Sequence, residues 1–482
     1  MSLKTENMPA IAHLPRLATN YAILSGTELI SKLLSAIAFA YLARVLGPLN
    51  YGYLEFTLAI IFFFTLLVDC GLSSIGAREF AKDREALAKL FIHISATRSL
   101  LSVLAFFILV AIAIFIPLAS SVKWLIFLYS LTMFLLPWLI QWVFQGQDMM
   151  SYVALASFFR WTLFTAGVFL FVHKPAQAWM VPMIEGFAIL SIAVFLLWAL
   201  SHTFGLPHHP ITLAYALSIF RKALPIGASE FVWAIKVYFA TILLGLLIGG
   251  AVLGWYTAAH RVIIALHSFV WLYFYNFLPS IARASQQPLE FIKRLMRISL
   301  QTTAWVVILI AALGTAYAEF GITLLYGAQF AASAAAFQVL IWAIPLTMFS
   351  GHYRYMLIGF DKQKLEFFSA LIGAAANILI NLLLIPRYGL LGAAWAFIIS
   401  EAIIWGSAYL FVRRTITIVP FLPHIWRPLT GGIAFGIVYA LLLPKNLWLA
   451  GFAATSLYLA ILLITQPNFL GYIRSIDLRT RA

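Results

Sequence analysis

The chain has 482 residues, of which 63% are hydrophobic and only 10% are charged, and its mean hydropathy is +0.98. A soluble domain cannot cover so much apolar surface with so little charge, so the composition excludes a soluble globular protein and indicates a polytopic membrane protein. The formal net charge of +15 would also suit a nucleic-acid-binding protein, so the positions of the basic residues must decide between these classes.

Apolar windows separated by short polar breaks recur along the whole chain. A helix needs roughly 20 mostly apolar residues to cross a hydrocarbon core of about 30 Å. The sequence therefore predicts an all-α, polytopic membrane protein with fourteen transmembrane helices, at residues 17–42, 52–72, 94–116, 123–145, 152–172, 178–200, 219–247, 254–279, 298–320, 334–358, 365–385, 389–411, 426–443 and 447–464.

The basic residues follow a topological rule. With the N-terminus in the cytoplasm, twenty-one of the 31 lysines and arginines fall in inner segments, and five fall in outer ones: Arg44, Lys123, Lys174, Arg387 and Lys445. This bias is the positive-inside pattern of membrane proteins, and it accounts for the net charge without a nucleic-acid partner. We therefore predict a multi-pass protein of the cytoplasmic, or inner, cell membrane with both termini in the cytoplasm.

Few residues suit redox or metal chemistry. The single cysteine, Cys70, excludes a disulfide within the chain and is expected to be a small packing residue. His208 and His209 lack a second pair of ligands at metal spacing. The sequence predicts no metal site, no cofactor and no catalytic residues.

Two stretches about two hundred residues apart match one another in register. They are "ARVLGPLNYGYLEF" from Ala43 and "GLLIGGAVLGWYTA" from Gly245. A constant offset of 202 pairs Glu28 with Glu230, Gly47 with Gly249, Gly52 with Gly254 and Tyr53 with Trp255. Further along, "GQD" at 146–148 matches "GFD" at 359–361 in the same order. These matches predict an internal duplication.

The duplication predicts the domain plan. Each repeat holds six helices, an even number, so both halves enter the membrane in the same direction, as in alternating-access carriers. We predict two parallel six-helix lobes at 1–200 and 219–412, and an interlobe linker at 201–218 with Pro, Gly and His. Helices thirteen and fourteen, with a cytoplasmic tail, form a peripheral pair at 413–482. Pro225 and Gly227 predict an irregular start to helix seven.

The segments "LARVLGPLNYGYLEF" from Leu42 and "LVDCGLSSIGAREFAKD" from Leu67 resemble the N-terminal signature of the Wzx-type polysaccharide flippases. These belong to the multidrug/oligosaccharidyl-lipid/polysaccharide exporter superfamily. The resemblance implies a V-shaped cavity between two six-helix lobes, through which a polyprenyl-diphosphate-linked oligosaccharide moves from the cytoplasmic to the outer leaflet. The resemblance further implies that the translocated oligosaccharide serves the synthesis of O-antigen, capsule or exopolysaccharide. The expected partners are this substrate, membrane lipid, a polysaccharide polymerase and a chain-length regulator, and we expect a monomer.

Several residues match the family motif and its repeat. We interpret them as architecture, because glycines let an outer turn close tightly and charges hold helix ends. They are Arg44, Gly47, Gly52, Asp69, Gly71 and Arg78, with Gly249 and Gly254 from the second repeat. The motif itself therefore supplies no binding site.

Charged side chains inside the predicted helices are the candidates for function. Each costs about 2.5 to 3.5 kcal/mol on insertion at a helix centre, so those that remain are usually paired or functional. A diphosphate-linked cargo requires cations, since Arg binds phosphate bidentately and Lys binds it as a point charge. The embedded cations are Arg98, Arg160, Lys236, Arg261 and Lys32. Two alternatives stay open: Lys32 pairs with Glu28 one turn away, and Arg98 snorkels to the cytoplasmic surface.

Glu28 and Glu230 are the ion-coupling candidates. At 1.5 Å per residue both lie about 15 Å deep, near the middle of the bilayer. Desolvation disfavours the charged form of a carboxylate. We predict that Glu230, which has no cation one turn away, takes up and releases a proton or a sodium ion, and that Glu28 is mainly structural.

Two other functions compete with a flippase. A membrane glycosyltransferase, polymerase or ligase of lipid-linked glycans would need catalytic residues on a large outer loop. The longest outer connection, near residues 320–334, has no carboxylate. A drug or cation antiporter of the same superfamily would share the helix plan, but the basic residues inside the membrane suit an anionic cargo better.

Overall fold

The fold is entirely helical in the part of the chain that the structure describes. The computed structural model describes residues 14–205 and 207–466, so the predicted cytoplasmic termini at 1–13 and 467–482 lie outside it. Within these residues, 12 helices are long and apolar enough to cross a membrane. The all-α membrane fold is confirmed, whereas the predicted count of fourteen spans is not.

The chain divides into two compact units, the first ending at Phe231 and the second beginning at Val232. The predicted domain boundaries stay predictions. The helices that lie in the first unit are α1 (Leu14–Asp69), α2 (Leu72–Lys82), α3 (Leu87–Phe115), α4 (Ser120–Thr132), α5 (Gln141–Gly146), α6 (Met150–Phe171) and α7 (Met180–Phe204), with a 3-10 turn at Met133–Trp138.

The helix α8 (Leu213–Leu247) begins in the first unit and ends in the second. The remaining helices are α9 (Gly250–Ala284), α10 (Leu289–Ala316), α11 (Ala318–Tyr326), α12 (Ser333–Leu340), α13 (Ala343–Gly359), α14 (Gln363–Thr415), α15 (Leu422–Leu442) and α16 (Leu447–Thr465). The longest predicted outer connection, near 320–334, is therefore largely helical, because α11 continues after a break at Tyr317.

Two helical elements are far longer than one membrane crossing. The span Gly26–Lys82 has 57 residues and the span Gln363–Thr415 has 53, whereas roughly 20 suffice. A glycine interrupts the single helix at the centre of each: Gly47 has φ 70° in α1, and Gly389 has φ 55° in α14. Glycine adopts this left-handed region without a Cβ penalty. The helix axis therefore breaks at these two positions.

The predicted duplication has a counterpart in backbone geometry. The repeat partners Gly47 and Gly249 both have positive φ, at 70° and 62°, and so do Asp148 and Asp361, at 55° and 57°. The candidate spans Ser120–Gly146 and Ser333–Gly359 have 27 residues each. Since positive φ is uncommon outside glycine, its recurrence at matched aspartates supports a common origin of the two halves.

The predicted irregular start of helix seven does not take the form of a break. One continuous helix, α8, runs through Pro225, where the proline ring leaves one hydrogen bond of the helix unmade. Gly227 instead serves close packing within the first unit. A Cβ on Gly227 would lie 2.8 Å from the carbonyl carbon of Cys70, at the left-handed turn formed by Cys70 and Gly71.

A buried histidine attaches the segment between α7 and α8 to α3. His93 Nε2 accepts a hydrogen bond from the Thr212 backbone N–H at 3.0 Å, and His93 Nδ1 lies 2.6 Å from the Lys89 carbonyl oxygen. Lys89 also stands 3.9 Å over the Tyr215 ring. The predicted linker 201–218 is thus helical at both ends and held down near its middle.

The C-terminal helix pair packs on α10 of the second unit. Tyr458 donates its hydroxyl to the Trp305 carbonyl at 2.8 Å, and Tyr439 donates to the Ala316 carbonyl at 2.6 Å. These bonds satisfy tyrosine hydroxyls that would otherwise be unpaired in an apolar environment.

We expect Gly227→Ala to lower the free energy of unfolding by about 1 to 3 kcal/mol, because the new methyl group overpacks the Cys70 backbone. Gly406→Ala is the matched control, since its Cβ would meet nothing within 4 Å. Thermal unfolding of the purified full-length chain in detergent measures both. Equal melting temperatures for the two variants would show that α8 is not closely packed at Gly227.

Candidate functional site

Arg98 is buried in an ion pair within the first unit. Its Nη2 lies 3.5 Å from Asp69 Oδ1, with only 6% of its side chain exposed, and its Nη1 donates to the Leu139 carbonyl at 3.3 Å. Ser73 donates a hydrogen bond to the same Asp69 oxygen at 2.5 Å. The motif residue Asp69 therefore holds Arg98, and Arg98 ties α3 to the end of α1.

Arg160 forms a second ion pair in the same unit. Its Nη2 lies 3.0 Å from Glu185 Oε1, and the Tyr129 hydroxyl donates to Glu185 Oε2 at 3.1 Å. Three helices, α4, α6 and α7, thus meet at one carboxylate. Arg160 remains 32% exposed, and a guanidinium has five N–H donors, so donors remain beyond those that Glu185 accepts.

The structure contains the ion pair between Glu28 and Lys32, and both side chains remain accessible. Lys32 Nζ lies 3.7 Å from Glu28 Oε2, with about half of each side chain exposed. Two hydrogen bonds, from Tyr41 to Val172 and from Thr165 to Leu34, both join α1 and α6 across 131 residues. The offset of 131 residues between these two helices also pairs position 160 with position 29. Arg160 and the Glu28–Lys32 pair therefore lie at the same depth.

Glu230 differs from its repeat partner. It is partly buried at the centre of α8. Burial is the main influence on this carboxylate, and the nearby carboxylate of Asp69, which itself pairs with Arg98, adds a smaller repulsion. The asymmetry predicted from the sequence is present: Glu28 has a cation one turn away, and the position one turn after Glu230 is Ala234.

Lys236 belongs to a buried polar network in the second unit. Its Nζ lies 2.6 Å from Glu401 Oε1, and Thr347 donates to Glu401 Oε2 at 3.3 Å. Thr347 Oγ1 also lies 3.1 Å from His267 Nε2. Because the Thr347 hydroxyl has only one hydrogen, which goes to Glu401, His267 Nε2–H is the donor to Thr347. The network joins α8, α9, α13 and α14.

This network borders a cavity of about 240 Å³ inside the second unit. Two of its charged residues, Arg354 and Glu366, are not among the candidates predicted from the sequence. Arg354 Nε donates to Glu366 Oε1 at 2.9 Å. No local pattern links Arg354 to Glu366 twelve residues later. The polar and aromatic residues in the cavity wall include Trp233, Lys236, His267, Trp271, Thr347, Arg354, Tyr355 and Glu366.

The other predicted site residues lie on several helices of both units. Arg261 is partly buried on α9. His260, one residue before it, stacks on Tyr256 with ring centroids 5.4 Å apart. Of the motif residues, Arg78 pairs with Glu79 at 3.2 Å and Arg44 is exposed. The glycines Gly52 and Gly254 are buried within helices, and Gly71 is left-handed with φ 78°.

No group of three or more His, Cys, Asp or Glu side chains that could hold a metal ion occurs among residues 14–205 and 207–466. Apart from Glu230, the carboxylates described above contact cations or hydroxyl groups. The site chemistry visible in the structure is therefore that of ion pairs and hydrogen bonds.

The chain is similar to known proteins in sequence and in fold. Residues 17–285 match the family described as "Polysaccharide biosynthesis protein", which is more than half of the chain. No curated protein sequence matches the chain.

Solved structures share the fold at low sequence identity. A lipid II flippase MurJ in an inward closed conformation is 13% identical with a TM-score of 0.73, and the alignment covers 93% of this chain and 100% of that one. An inward-facing multidrug resistance MATE family transporter of the MOP superfamily is 14% identical with a TM-score of 0.63, covering 82% and 97%. A MOP superfamily transporter from Pyrococcus furiosus is 16% identical with a TM-score of 0.57, covering 85% and 98%.

We expect Arg98→Gln to lower the free energy of unfolding by about 3 to 5 kcal/mol, because it leaves the Asp69 carboxylate without its cation. Lys293→Gln is the control, since its pair with Glu290 is exposed on the first turn of α10 and such pairs contribute about 0 to 1 kcal/mol. Thermal unfolding in detergent compares the two variants.

The double variant Arg98→Gln, Asp69→Asn separates structure from cargo binding. If Arg98 acts by neutralising Asp69, the double variant unfolds at a higher temperature than Arg98→Gln alone. An Arg98→Gln protein as stable as the Lys293→Gln control, but defective in transport, would assign Arg98 to the cargo instead.

Proposed function

Because the chain belongs to the family of polysaccharide biosynthesis proteins, we propose that it is a flippase for a polyprenyl-diphosphate-linked oligosaccharide. It moves this lipid from the cytoplasmic to the outer leaflet by alternating access, for synthesis of an O-antigen, a capsule or an exopolysaccharide. The family match over 17–285 carries the proposal, together with a fold shared with transporters. One of the structures that share the fold is named as a lipid II flippase, so its name gives a lipid as the cargo.

The proposed topology has fourteen crossings and both termini in the cytoplasm of an inner-membrane protein. The breaks at Gly47 and Gly389 divide two long elements into two crossings each, which raises the 12 candidate spans to the proposed number. The positive-inside distribution of Lys and Arg supports the orientation. We further propose a monomer that works beside a polysaccharide polymerase and a chain-length regulator.

A drug or cation antiporter is the second candidate, because a MATE transporter shares the fold with a TM-score of 0.63. The family match favours a glycolipid cargo over an organic cation. We propose that the chain is not an enzyme, since the comparisons identify transporters.

The open ion pairs are the proposed site for the diphosphate. Lys32 and Arg160 lie at one depth in the first unit, and both keep exposed area. A phosphate can replace Glu28 or Glu185 as the partner of these cations, because Lys32 and Arg160 are already accessible. Arg98 and Lys236, in contrast, are enclosed with their carboxylates. We assign Lys32 and Arg160 to the diphosphate, with Arg261 as a third candidate, and Arg98 and Lys236 to positioning of helices.

We expect Lys32→Gln and Arg160→Gln each to slow flipping by about tenfold, because a charge-assisted hydrogen bond contributes about 1.5 to 3 kcal/mol. The assay uses proteoliposomes that contain a polyprenyl diphosphate sugar with a fluorescent tag on the lipid, with chemical quenching of the outer leaflet. Lys293→Gln is the control.

Two results would contradict this assignment. Wild-type rates in both variants would remove Lys32 and Arg160 from the cargo site. A wild-type protein that leaves the tagged lipid in place but moves a fluorescent organic cation would establish the antiporter instead.

Glu230 is the proposed coupling residue. It is a partly buried carboxylate at the centre of α8, near Asp69, whose own charge is paired with Arg98. Binding of a proton or a sodium ion removes the cost of keeping the Glu230 negative charge partly buried, so occupancy of Glu230 can bias one conformation over another. Glu28 is already neutralised by Lys32.

We expect Glu230→Gln to abolish the response of flipping to imposed proton or sodium gradients, because the amide neither titrates nor carries charge. Glu28→Gln is the matched control at the repeat-equivalent position, and it should keep the gradient response. Flipping in proteoliposomes with each gradient imposed separately measures both. A Glu230→Gln protein that still responds, or a wild-type protein that never does, rules out this coupling role.

A further inference from the structure

The cavity in the second unit has balanced charge. Lys236 Nζ lies 2.6 Å from Glu401 Oε1, and Arg354 Nε lies 2.9 Å from Glu366 Oε1, so two cations meet two carboxylates. Glu366 stands in the cavity wall. An entering phosphate would therefore face a carboxylate here, as it would at Glu28 and Glu185 of the first unit. Charge alone does not reserve this cavity for the diphosphate, so the remaining groups of its wall indicate the ligand.

The same wall is well suited to a polyol. Arg354 offers N–H donors, Glu366 offers acceptor oxygens, and each sugar hydroxyl both donates and accepts. Aromatic rings also contribute to the wall: Trp233 and Trp271 both line the cavity, with centroids 5.7 Å apart at 56°. Such rings present flat apolar faces on which the C–H face of a sugar can stack.

The size of the cavity limits the ligand. Pockets for drug-sized molecules have volumes of about 300 to 1,000 Å³, and this cavity has about 240 Å³. It therefore has room for a single ring and not for an oligosaccharide.

We infer that this cavity binds one uncharged sugar ring of the transported glycan. The inference rests on the proposed flippase function and deepens it, because it gives the glycan its own recognition site in the second unit. The diphosphate is assigned separately to Lys32 and Arg160 of the first unit. Selection of the cargo would then depend on the sugar as well as on the charged linkage.

Calorimetric titration of the full-length protein in a detergent without a sugar headgroup tests the inference. The probes are methyl glycosides of neutral hexoses and N-acetylhexosamines. The affinity of each is compared with that of the matching methyl uronide, where one exists, and with that of inorganic pyrophosphate. We expect at least one neutral glycoside to bind, and its uronide to bind about tenfold more weakly.

Two variants localise the binding. Trp271→Leu should weaken binding of the neutral glycoside by about 3- to 10-fold, as expected for the loss of an aromatic contact. Trp395→Leu is the control, because Trp395 lies outside the cavity wall and is 50% exposed, close to the 43% of Trp271. Glu366→Gln leaves Arg354 without its carboxylate, so the ratio of uronide to neutral-glycoside affinity should rise about tenfold.

The outcomes separate this inference from the proposed function. Absence of binding by every neutral glycoside, equal binding of the uronide, or equal loss in the two tryptophan variants overturns the sugar site. If Glu366→Gln does not fold, the tryptophan variants decide. Flipping of the tagged lipid without glycoside binding overturns the inference alone, whereas glycoside binding without flipping overturns the flippase function alone.

Discussion

Neutralisation of charge inside the membrane is the constraint on which the rest of the structure depends. Taking an ion out of water costs several kcal/mol, and a nearby opposite charge with good hydrogen-bond geometry offsets that cost. In this chain, cations within the helices meet carboxylates of the same unit. The pairs are Glu28–Lys32, Arg98–Asp69, Arg160–Glu185, Lys236–Glu401 and Arg354–Glu366. Apart from the first, each pair joins two helices, so neutralisation also sets which helices lie together.

The pairs differ in how accessible they are, and this difference separates architecture from function. Arg98 and Lys236 are enclosed with their carboxylates, so removal of one partner leaves a buried charge. Lys32 and Arg160 keep contact with the surroundings and can exchange a carboxylate for another anion. The Arg354–Glu366 pair is intermediate, because it lines a cavity that it leaves neutral overall. Ion pairs between embedded cations and carboxylates thus contribute both to helix packing and to the two proposed ligand sites.

The two halves of the chain share matched backbone turns but differ in the charges around equivalent acids. Matched backbone turns recur at Gly47 and Gly249 and at Asp148 and Asp361. The charges do not recur in the same way. Glu28 has Lys32 one turn on, whereas Glu230 has Ala234 there and Asp69 as a charged neighbour. A pair of equivalent acids in unequal surroundings allows one of them to respond to an ion while the other stays neutralised.

Properties that depend on neighbours in the chain could be predicted from the sequence. Hydrophobic run length predicted the helical membrane fold, the spacing of Glu28 and Lys32 predicted their pair, and glycine placement predicted the turn at Gly47. At Pro225 local composition did not reveal that α8 continues as one helix, with Gly227 packed against Cys70. Near 320–334 the predicted connection does lie between two spans, Leu289–Ala316 and Ser333–Gly359, and the short helix α11 occupies part of it.

Only the tertiary structure decided which carboxylate neutralises which cation. Lys236 and Glu401 are 165 residues apart, and Arg98 and Asp69 lie on different helices. Every embedded arginine or lysine has the same attraction for every embedded acid, so the choice depends on which helix faces pack together. The cavity around Arg354 and Glu366 arises in the same way, from walls contributed by α8, α9, α13 and α14. The sequence by itself determined the class of protein, the helices and the charges within them, while helix packing determined which of those charges are enclosed and which remain open to a ligand.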